Sequence, residues 1–187
     1  MTKNYALITG STAGIGLDIA RELASRGHNI LLTARREDRL KDIAERLTLD
    51  FGVHTDYVVA DLSEPSAPGT IFSFCDSHQY AVNILVNNAG YSINKKFHET
   101  GEEEEEKFLR VLGTSVVALT KRFIPGMLKQ KSGKIMLVSS LAAFAPPATG
   151  WLAWLFYCFP ASLSNSQEKI TAAICAAIFT IHWVQTI

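Results

Sequence analysis

The chain is poor in cysteine and has no excess of either charge. Its 187 residues include three cysteines, Cys75, Cys158 and Cys175, which are widely spaced and form no Cys-x-x-Cys pair. This pattern argues against a disulfide framework, indicates a reducing compartment and gives no hint of a zinc site. Eighteen basic and eighteen acidic residues leave a net charge of zero. Nothing therefore draws the chain as a whole to nucleic acid.

A leader sequence and a metal-ligand pattern are also missing. The first glycine-rich turn begins at Gly10, which leaves no room for a signal peptide before it. We therefore expect a cytoplasmic protein. The five histidines show no ligand spacing. The run Glu102–Glu106 lies near a predicted helix start, where acidic residues are favourable, and we interpret it as a solvated helix face rather than a metal site. No metal is predicted.

Charged residues are absent from two stretches of the C-terminal part, Leu141–Asn165 and Ile170–Ile187. We expect residues 1–150 to form one domain and residues 151–187 to form an atypical apolar tail. The eighteen residues of Ile170–Ile187 are near the lower limit for a transmembrane helix, so the tail could contact a membrane. The alternatives are that the tail covers an exposed part of the domain or does not fold.

The strongest positive signal is a short apolar run that ends in a glycine-rich turn, Gly10–Gly16, and then opens a helix. A helix start offers unpaired N–H groups and a partial positive charge, and both favour a phosphate. Gly10 would permit a tight turn, Gly14 would let a pyrophosphate approach the backbone, and Gly16 would let helix and strand pack closely. A second apolar run, Asn29–Ala34, follows, as a βαβ unit requires. The alternative is a turn with only a structural role.

Apolar strands alternate with amphipathic helices along the whole of this region. The predicted strands are Asn4–Thr9, Asn29–Ala34, Val53–Ala60, Val82–Val86 and Gly133–Ser139. The predicted helices are Gly14–Gly27, Arg36–Phe51, Ser66–Ser77 and Glu105–Gln130, the last interrupted near Gly113 and Pro125. This order predicts an α/β fold with a doubly wound parallel sheet. Ligands bind at the carboxyl edge of such sheets.

Polar and glycine motifs follow four of the predicted strands. They are Thr9-Gly10-x-x-x-Gly14-Ile15-Gly16, Asp61-Leu62, Asn87-Asn88-Ala89-Gly90 and Val138-Ser139-Ser140. Together these motifs resemble the short-chain dehydrogenase/reductase family over about residues 3–150. The resemblance implies a Rossmann-like fold in which five strands are recognisable and the family's last two are missing. It also implies an NAD(P)-dependent oxidoreductase that acts on a small carbonyl or alcohol substrate.

The resemblance assigns roles to residues at the carboxyl edge. Ser11, Thr12 and Ile15 would lie against the phosphates, and Asp61 with Leu62 would hold the adenine ring. Asn87 and Asn88 have an alternative role, which is to bridge neighbouring strand ends. The candidate cofactor-binding residues are Gly10, Ser11, Thr12, Gly14, Ile15, Gly16, Arg35, Arg36, Asp61, Leu62, Asn88, Ala89 and Gly90.

The end of the second strand indicates which dinucleotide is preferred. A site for NAD places a carboxylate there to accept from the ribose 2′-hydroxyl. That position is Ala34, and Arg35 and Arg36 follow it. A guanidinium suits a 2′-phosphate through forked, charge-assisted hydrogen bonds. The sequence therefore favours NADP(H), the alternative being that both arginines merely solvate a helix start.

The catalytic pattern of the family is incomplete. Ser140 stands at the position of the catalytic serine, but the tyrosine is expected at Ala153, the lysine at Tyr157 and the asparagine at Leu112. No Tyr-x-x-x-Lys occurs after Ser140. A phenol near pKa 10 needs a nearby cation to act as an acid/base at neutral pH. We therefore expect this chain to be inactive.

Two explanations fit these departures. A splice or frame change after Gly150 would explain the tail but not Leu112, whereas a drifting pseudoenzyme would explain Leu112 and tolerate the tail. The second explanation leaves open a nucleotide-binding protein that acts by interaction, as a homo-oligomer or paired with an intact relative. Without a sixth strand, Lys134–Val138 is expected to be an unpaired edge of the sheet.

Overall fold

The computed structural model describes residues 3–140 and 181–185. Its strands are β1 Lys3–Thr9, β2 Asn29–Ala34, β3 Thr55–Val59, β4 Tyr80–Asn87, β5 Lys134–Val138 and β6 Ile181–Gln185. Its α-helices are α1 Gly14–Ser25, α2 Glu37–Phe51, α3 Ala67–Ser77, α4 Glu102–Leu109 and α5 Ser115–Gln130. A 3₁₀ turn spans Phe97–Glu99, and a π-helical turn, Arg110–Thr114, joins α4 to α5.

The strands form one sheet in the order β3-β2-β1-β4-β5-β6. The first five are parallel, with Ile8 of β1 paired to Leu32 of β2 on one side and to Val86 of β4 on the other. The prediction of a doubly wound α/β sheet is therefore confirmed. β2 and β3 are added on one side of β1, and β4 and β5 are added on its other side. The order reverses between β1 and β4.

Each face of the sheet carries its own core. Strand residues are apolar on both faces because helices cover both, which is why β1, β2 and β4 read as continuous apolar runs. One core packs α1 and α2 on the sheet, through helix residues such as Ala20, Leu40, Ile43 and Leu47. The other packs α3, the π-turn and α5, through Ile71, Val111, Leu119, Phe123 and Met127.

The long helical segment before β5 is interrupted once, not twice. The predicted break near Gly113 is present as the π-turn Arg110–Thr114. The predicted break at Pro125 is wrong, because α5 continues through it. A proline inside a helix costs about 3 kcal/mol. Leu119, Phe123 and Met127 are buried on both sides of the proline, and we attribute the continuity of the helix to this packing.

The same segment, Glu102–Gln130, is long enough and, with a mean hydropathy of 1.2, apolar enough to pass as a membrane span. Its buried residues Val111, Leu119, Phe123 and Met127 belong to the core on the α3 side of the sheet, and Phe108 packs in a separate cluster with Ile93. The stretch Ile170–Ile187, proposed as a membrane contact, lies outside the described residues except for 181–185.

The expectation that β5 forms an unpaired edge is wrong. β6 runs antiparallel to β5, with Met136 paired to Trp183 and Lys134 to Gln185. This pairing supplies partners for backbone groups on the outer side of β5. The prediction failed because β6 lies more than forty residues after β5 in the chain and is five residues long. The remainder of the predicted tail lies outside the described residues.

Candidate functional site

The principal cleft lies where the strand order reverses, at the carboxyl ends of β1 and β4. It has a volume of about 830 Å³ and is lined by loops that follow β1, β2, β3 and β4. Ligands of open α/β sheets bind at this type of crevice. The geometry of each loop decides what the cleft can hold.

Gly10 closes the turn after β1. Its φ is +65°, a region that residues with a side chain rarely adopt, and a Cβ added there would lie 2.8 Å from Ala89 Cα. The Gly10 N–H donates to the Thr33 carbonyl at 2.9 Å, and the Ser11 hydroxyl donates to the same carbonyl at 3.4 Å. The turn is thereby fixed to the end of β2.

Gly14 and Gly16 meet different surroundings. Gly14 begins α1 with φ +54°, and an added Cβ would meet nothing within 4 Å. The start of this helix therefore opens onto free space. A Cβ at Gly16 would lie 2.5 Å from the Gly10 carbonyl oxygen and would contact the Asn88 amide nitrogen. The first turn of α1 thus packs directly on the strand ends, as the glycine spacing predicts.

Asn88 joins the ends of β1 and β4. Its side-chain amide donates to the Thr9 carbonyl at 2.9 Å and to the Gly10 carbonyl at 3.2 Å. The Thr9 hydroxyl accepts from the backbone N–H groups of Asn88 at 2.9 Å and Ala89 at 3.0 Å, and donates to the Val86 carbonyl. The bridging role left open by the sequence is therefore present for Asn88. Asn87 is also buried, but neither its amide nitrogen nor its oxygen has a hydrogen-bond partner among the described residues.

Asp61 begins the loop after β3. One carboxylate oxygen accepts from the Ser63 N–H at 2.9 Å and from the Ser63 hydroxyl at 2.8 Å. The other oxygen lies 4.0 Å from Arg35 Nη1. Burial alone would raise the pKa of Asp61, but the Ser63 hydrogen bonds and the charges of Arg35 and Lys107 outweigh it and lower the pKa. Asp61 is therefore a carboxylate at neutral pH.

Arg36 reaches back to the glycine-rich turn. Its Nη2 donates to the Thr12 hydroxyl at 3.3 Å, and among the described residues no carboxylate forms an ion pair with it. Arg35 is also exposed, and its Nη1 faces the Asp61 carboxylate. The two guanidinium groups thus flank the cleft, one beside the turn and one beside the loop after β3.

Comparison with known proteins agrees with this geometry. The family model for short chain dehydrogenases matches residues 4–152. The chain belongs to the short-chain dehydrogenase family. It is 34% identical over 158 residues to an L-xylo-3-hexulose reductase of Hypocrea jecorina, covering 74% of this chain and 52% of that protein. It is 33% identical over 139 residues to a 3-oxoacyl-(acyl-carrier-protein) reductase of Aquifex aeolicus, covering 74% and 56%.

Solved structures of short-chain dehydrogenases and reductases also match this chain. An L-sorbose reductase of Gluconobacter frateurii, complexed with NADPH and L-sorbose, matches with a TM-score of 0.80 and 31% identity over 88% of this chain and 64% of that one. A short-chain dehydrogenase of Sphingobium yanoikuyae in complex with NADPH matches with a TM-score of 0.79 and 29% identity, over 87% and 63%. The chain spans about half the length of the curated relatives.

Most of the predicted cofactor residues line the cleft of this short-chain dehydrogenase chain. Ser11 and Gly14 belong to the same turn but do not line the cleft. The predicted residues that line it are Gly10, Thr12, Ile15, Gly16, Arg35, Arg36, Asp61, Leu62, Asn88, Ala89 and Gly90. Ser11 is fully buried, and its hydroxyl donates to the Thr33 carbonyl instead of facing the cleft. The assignment of these residues to a cofactor stays a prediction.

Ten of the described residues that line the cleft are not among the predicted site residues, and Tyr91, Glu104 and Lys107 are three of them. Tyr91 directly follows the Asn-Asn-Ala-Gly motif, and this adjacency could have indicated it. Glu104 and Lys107 come from α4. The run Glu102–Glu106 was interpreted as solvated, and its outer members are exposed. Glu104 is different, because it lines the cleft and pairs with Lys95 at 2.9 Å.

The catalytic positions are only partly within the described residues. Ser140 follows β5 at the carboxyl edge, as the family pattern requires. Leu112, at the position expected for asparagine, lies in the π-turn and packs against the buried side chains of Ile93 and Phe108. Ala153 and Tyr157 lie outside the described residues.

Proposed function

We propose that this short-chain dehydrogenase chain binds NADP(H) in the cleft between the ends of β1 and β4. The observation that carries the proposal is that the cleft lies at the start of α1, where Gly10, Thr12 and Gly16 line it. The free N–H groups of a helix start and its partial positive charge suit a pyrophosphate.

The residues around the turn fit the rest of the dinucleotide. Thr12 and Ile15 would lie beside the phosphates. Asn88 would hold the glycine-rich turn against β4 through its hydrogen bonds to the Thr9 and Gly10 carbonyls. Asp61 and Leu62 would hold the adenine, using the carboxylate oxygen that Ser63 does not occupy. Arg35 and Arg36 would bind a 2′-phosphate, because Ala34 brings no carboxylate to repel it. Hydride transfer itself would be the chemistry of the bound cofactor.

We further propose that the chain has no oxidoreductase turnover of its own. Ser140 stands at the sequence position expected for the catalytic serine, but Leu112 offers no polar side chain, and no Tyr-x-x-x-Lys follows Ser140. The chain would then keep the fold and the cofactor site of the family but not its reaction on a carbonyl or alcohol. The substrate is not assigned.

A role as a nucleotide-binding interaction protein is the second candidate. The packing of Leu112 favours it, since an apolar side chain there closes the small cluster of Ile93 and Phe108. Under this hypothesis, cofactor binding would order the domain for a partner. A homo-oligomer, an intact relative or a membrane surface contacted through residues 151–187 would be the candidates. A cytoplasmic location fits either function.

The cofactor preference gives a direct test of the arginine assignment. We expect the protein to bind NADPH at least about ten-fold more tightly than NADH, because hydrogen bonds to charged groups are strong. Arg35→Asp should abolish or reverse this preference, since a carboxylate repels the 2′-phosphate and accepts from a 2′-hydroxyl. Isothermal titration calorimetry with both cofactors measures the ratio.

The matched control is Arg46→Asp, which makes the same charge change on an exposed α2 residue that pairs with Asp42 at 3.0 Å. It should leave the ratio of the two affinities within about two-fold. Equal affinities for NADPH and NADH in the unaltered protein would refute the preference.

A further inference from the structure

Tyr91 is an aromatic residue that faces the cleft. It follows Gly90 in the loop after β4 and lines the cleft together with Leu62, Ala89 and Val111. The residue is 43% exposed. An exposed aromatic residue in the lining of a cleft is available to a ligand that binds there.

The ring of Tyr91 is held in place by α4. It meets the ring of Phe108 edge to face, with centroids 5.2 Å apart and planes at 87°. Phe108 is 1% exposed and packs with Ile93 and Leu112. Edge-to-face pairs are a favoured aromatic geometry. The contact anchors a loop residue to a buried helix residue, so the ring is positioned before any ligand arrives.

The charged groups near Tyr91 locate it at one end of the cleft. Burial raises the pKa of its phenol, and the carboxylates of Glu104, Asp61 and Glu105 raise it further, while Arg35 opposes them. The phenol is therefore neutral at pH 7. Tyr91 also lines the same cleft as Arg35, Asp61 and Leu62, the residues assigned above to the 2′-phosphate and adenine. We therefore assign Tyr91 to the adenosine side of the cleft.

We propose that Tyr91 is a further cofactor-contact residue whose ring forms an apolar wall for the adenine base. The proposal rests on the proposed function, because it requires a dinucleotide in this cleft. Aromatic rings stack on purine bases, and removing such a ring weakens binding about ten-fold or more. The proposal assigns the contact to the ring rather than to the hydroxyl, because the edge-to-face contact with Phe108 holds the ring.

The test is a set of calorimetric titrations of the full chain with NADPH and with 2′,5′-ADP, which carries only the adenosine end. Tyr91→Ala should weaken both ligands by about ten-fold and by the same factor. Tyr91→Phe keeps the ring and should stay within two-fold of the unaltered protein. The matched control is Phe97→Ala, which removes a 63% exposed aromatic side chain from the nearby 3₁₀ turn outside the cleft. It should change neither affinity.

Three outcomes would overturn the proposal. They are binding by Tyr91→Ala within two-fold of the unaltered protein, an equal loss in Tyr91→Phe, and a loss for NADPH that 2′,5′-ADP does not share. The thermal midpoint of each variant separates a lost contact from a lost fold, and rescue by phenylalanine makes the same distinction. Failure of the unaltered protein to bind either ligand would instead refute the proposed function.

Discussion

Incubated with NADPH and a panel of carbonyl compounds, the protein should oxidise the cofactor about 10² to 10⁴-fold more slowly than a relative with a complete catalytic set, or not at all. That range is the usual contribution of a positioned acid/base. Ala153 cannot donate a proton, and Tyr157 is followed four residues later by Ala161 rather than by lysine. Without a nearby cation the pKa of a phenol stays too high for the task.

The decisive control for this assay is Ser140→Ala. Residual NADPH oxidation that is unchanged by the substitution would be unrelated to the family site and would agree with the expectation. Oxidation at the rate of an active relative that Ser140→Ala abolishes would contradict it. In that case Tyr157 would be the first residue to replace, because it could act as the proton donor from a position four residues after the expected one.

Gly16→Val should destroy the cofactor site. The first carbon of the new side chain would lie 2.5 Å from the Gly10 carbonyl oxygen and against the Asn88 amide. The start of α1 must then move away from the ends of β1 and β4. Overpacking of this kind costs about 1–3 kcal/mol of stability. If the displaced turn no longer fits a pyrophosphate, NADPH binding should fall about ten- to hundred-fold.

The matched control is Gly126→Val, which adds the same side chain at an exposed position of α5 where a Cβ meets nothing within 4 Å. This variant should bind NADPH normally. Chemical denaturation measures the stability of both variants, and calorimetry measures their affinity. A Gly16→Val protein with unchanged NADPH affinity would show that the turn does not hold the cofactor.

The strands, helices and the glycine-rich turn could be predicted from the sequence because each depends mainly on residues that are close together in the chain. Buried parallel strands read as apolar runs, so β2 was predicted with the bounds observed. The glycine spacing predicted the turn, because only a residue without a Cβ fits against Ala89 and beneath Asn88. These are steric requirements of a few neighbouring residues, and the sequence expresses them directly.

Features that depend on distant packing could not be predicted in this way. Pro125 reads as a helix breaker, but burial of Phe123 and Met127 keeps α5 intact. The pairing of β6 with β5 joins segments far apart in the chain. In the site, Lys107 and Glu104 approach the cleft only because α4 crosses its rim. A helix face that looks solvated from its composition can therefore line a ligand site.

Direct titration of the unaltered, folded protein with NADPH tests the central claim most simply. Calorimetry should show saturable binding of one NADPH per chain, and 2′,5′-ADP added first should compete with it. The absence of binding by a chain that circular dichroism and a cooperative melt show to be folded would contradict the claim that the cleft between β1 and β4 is a dinucleotide site.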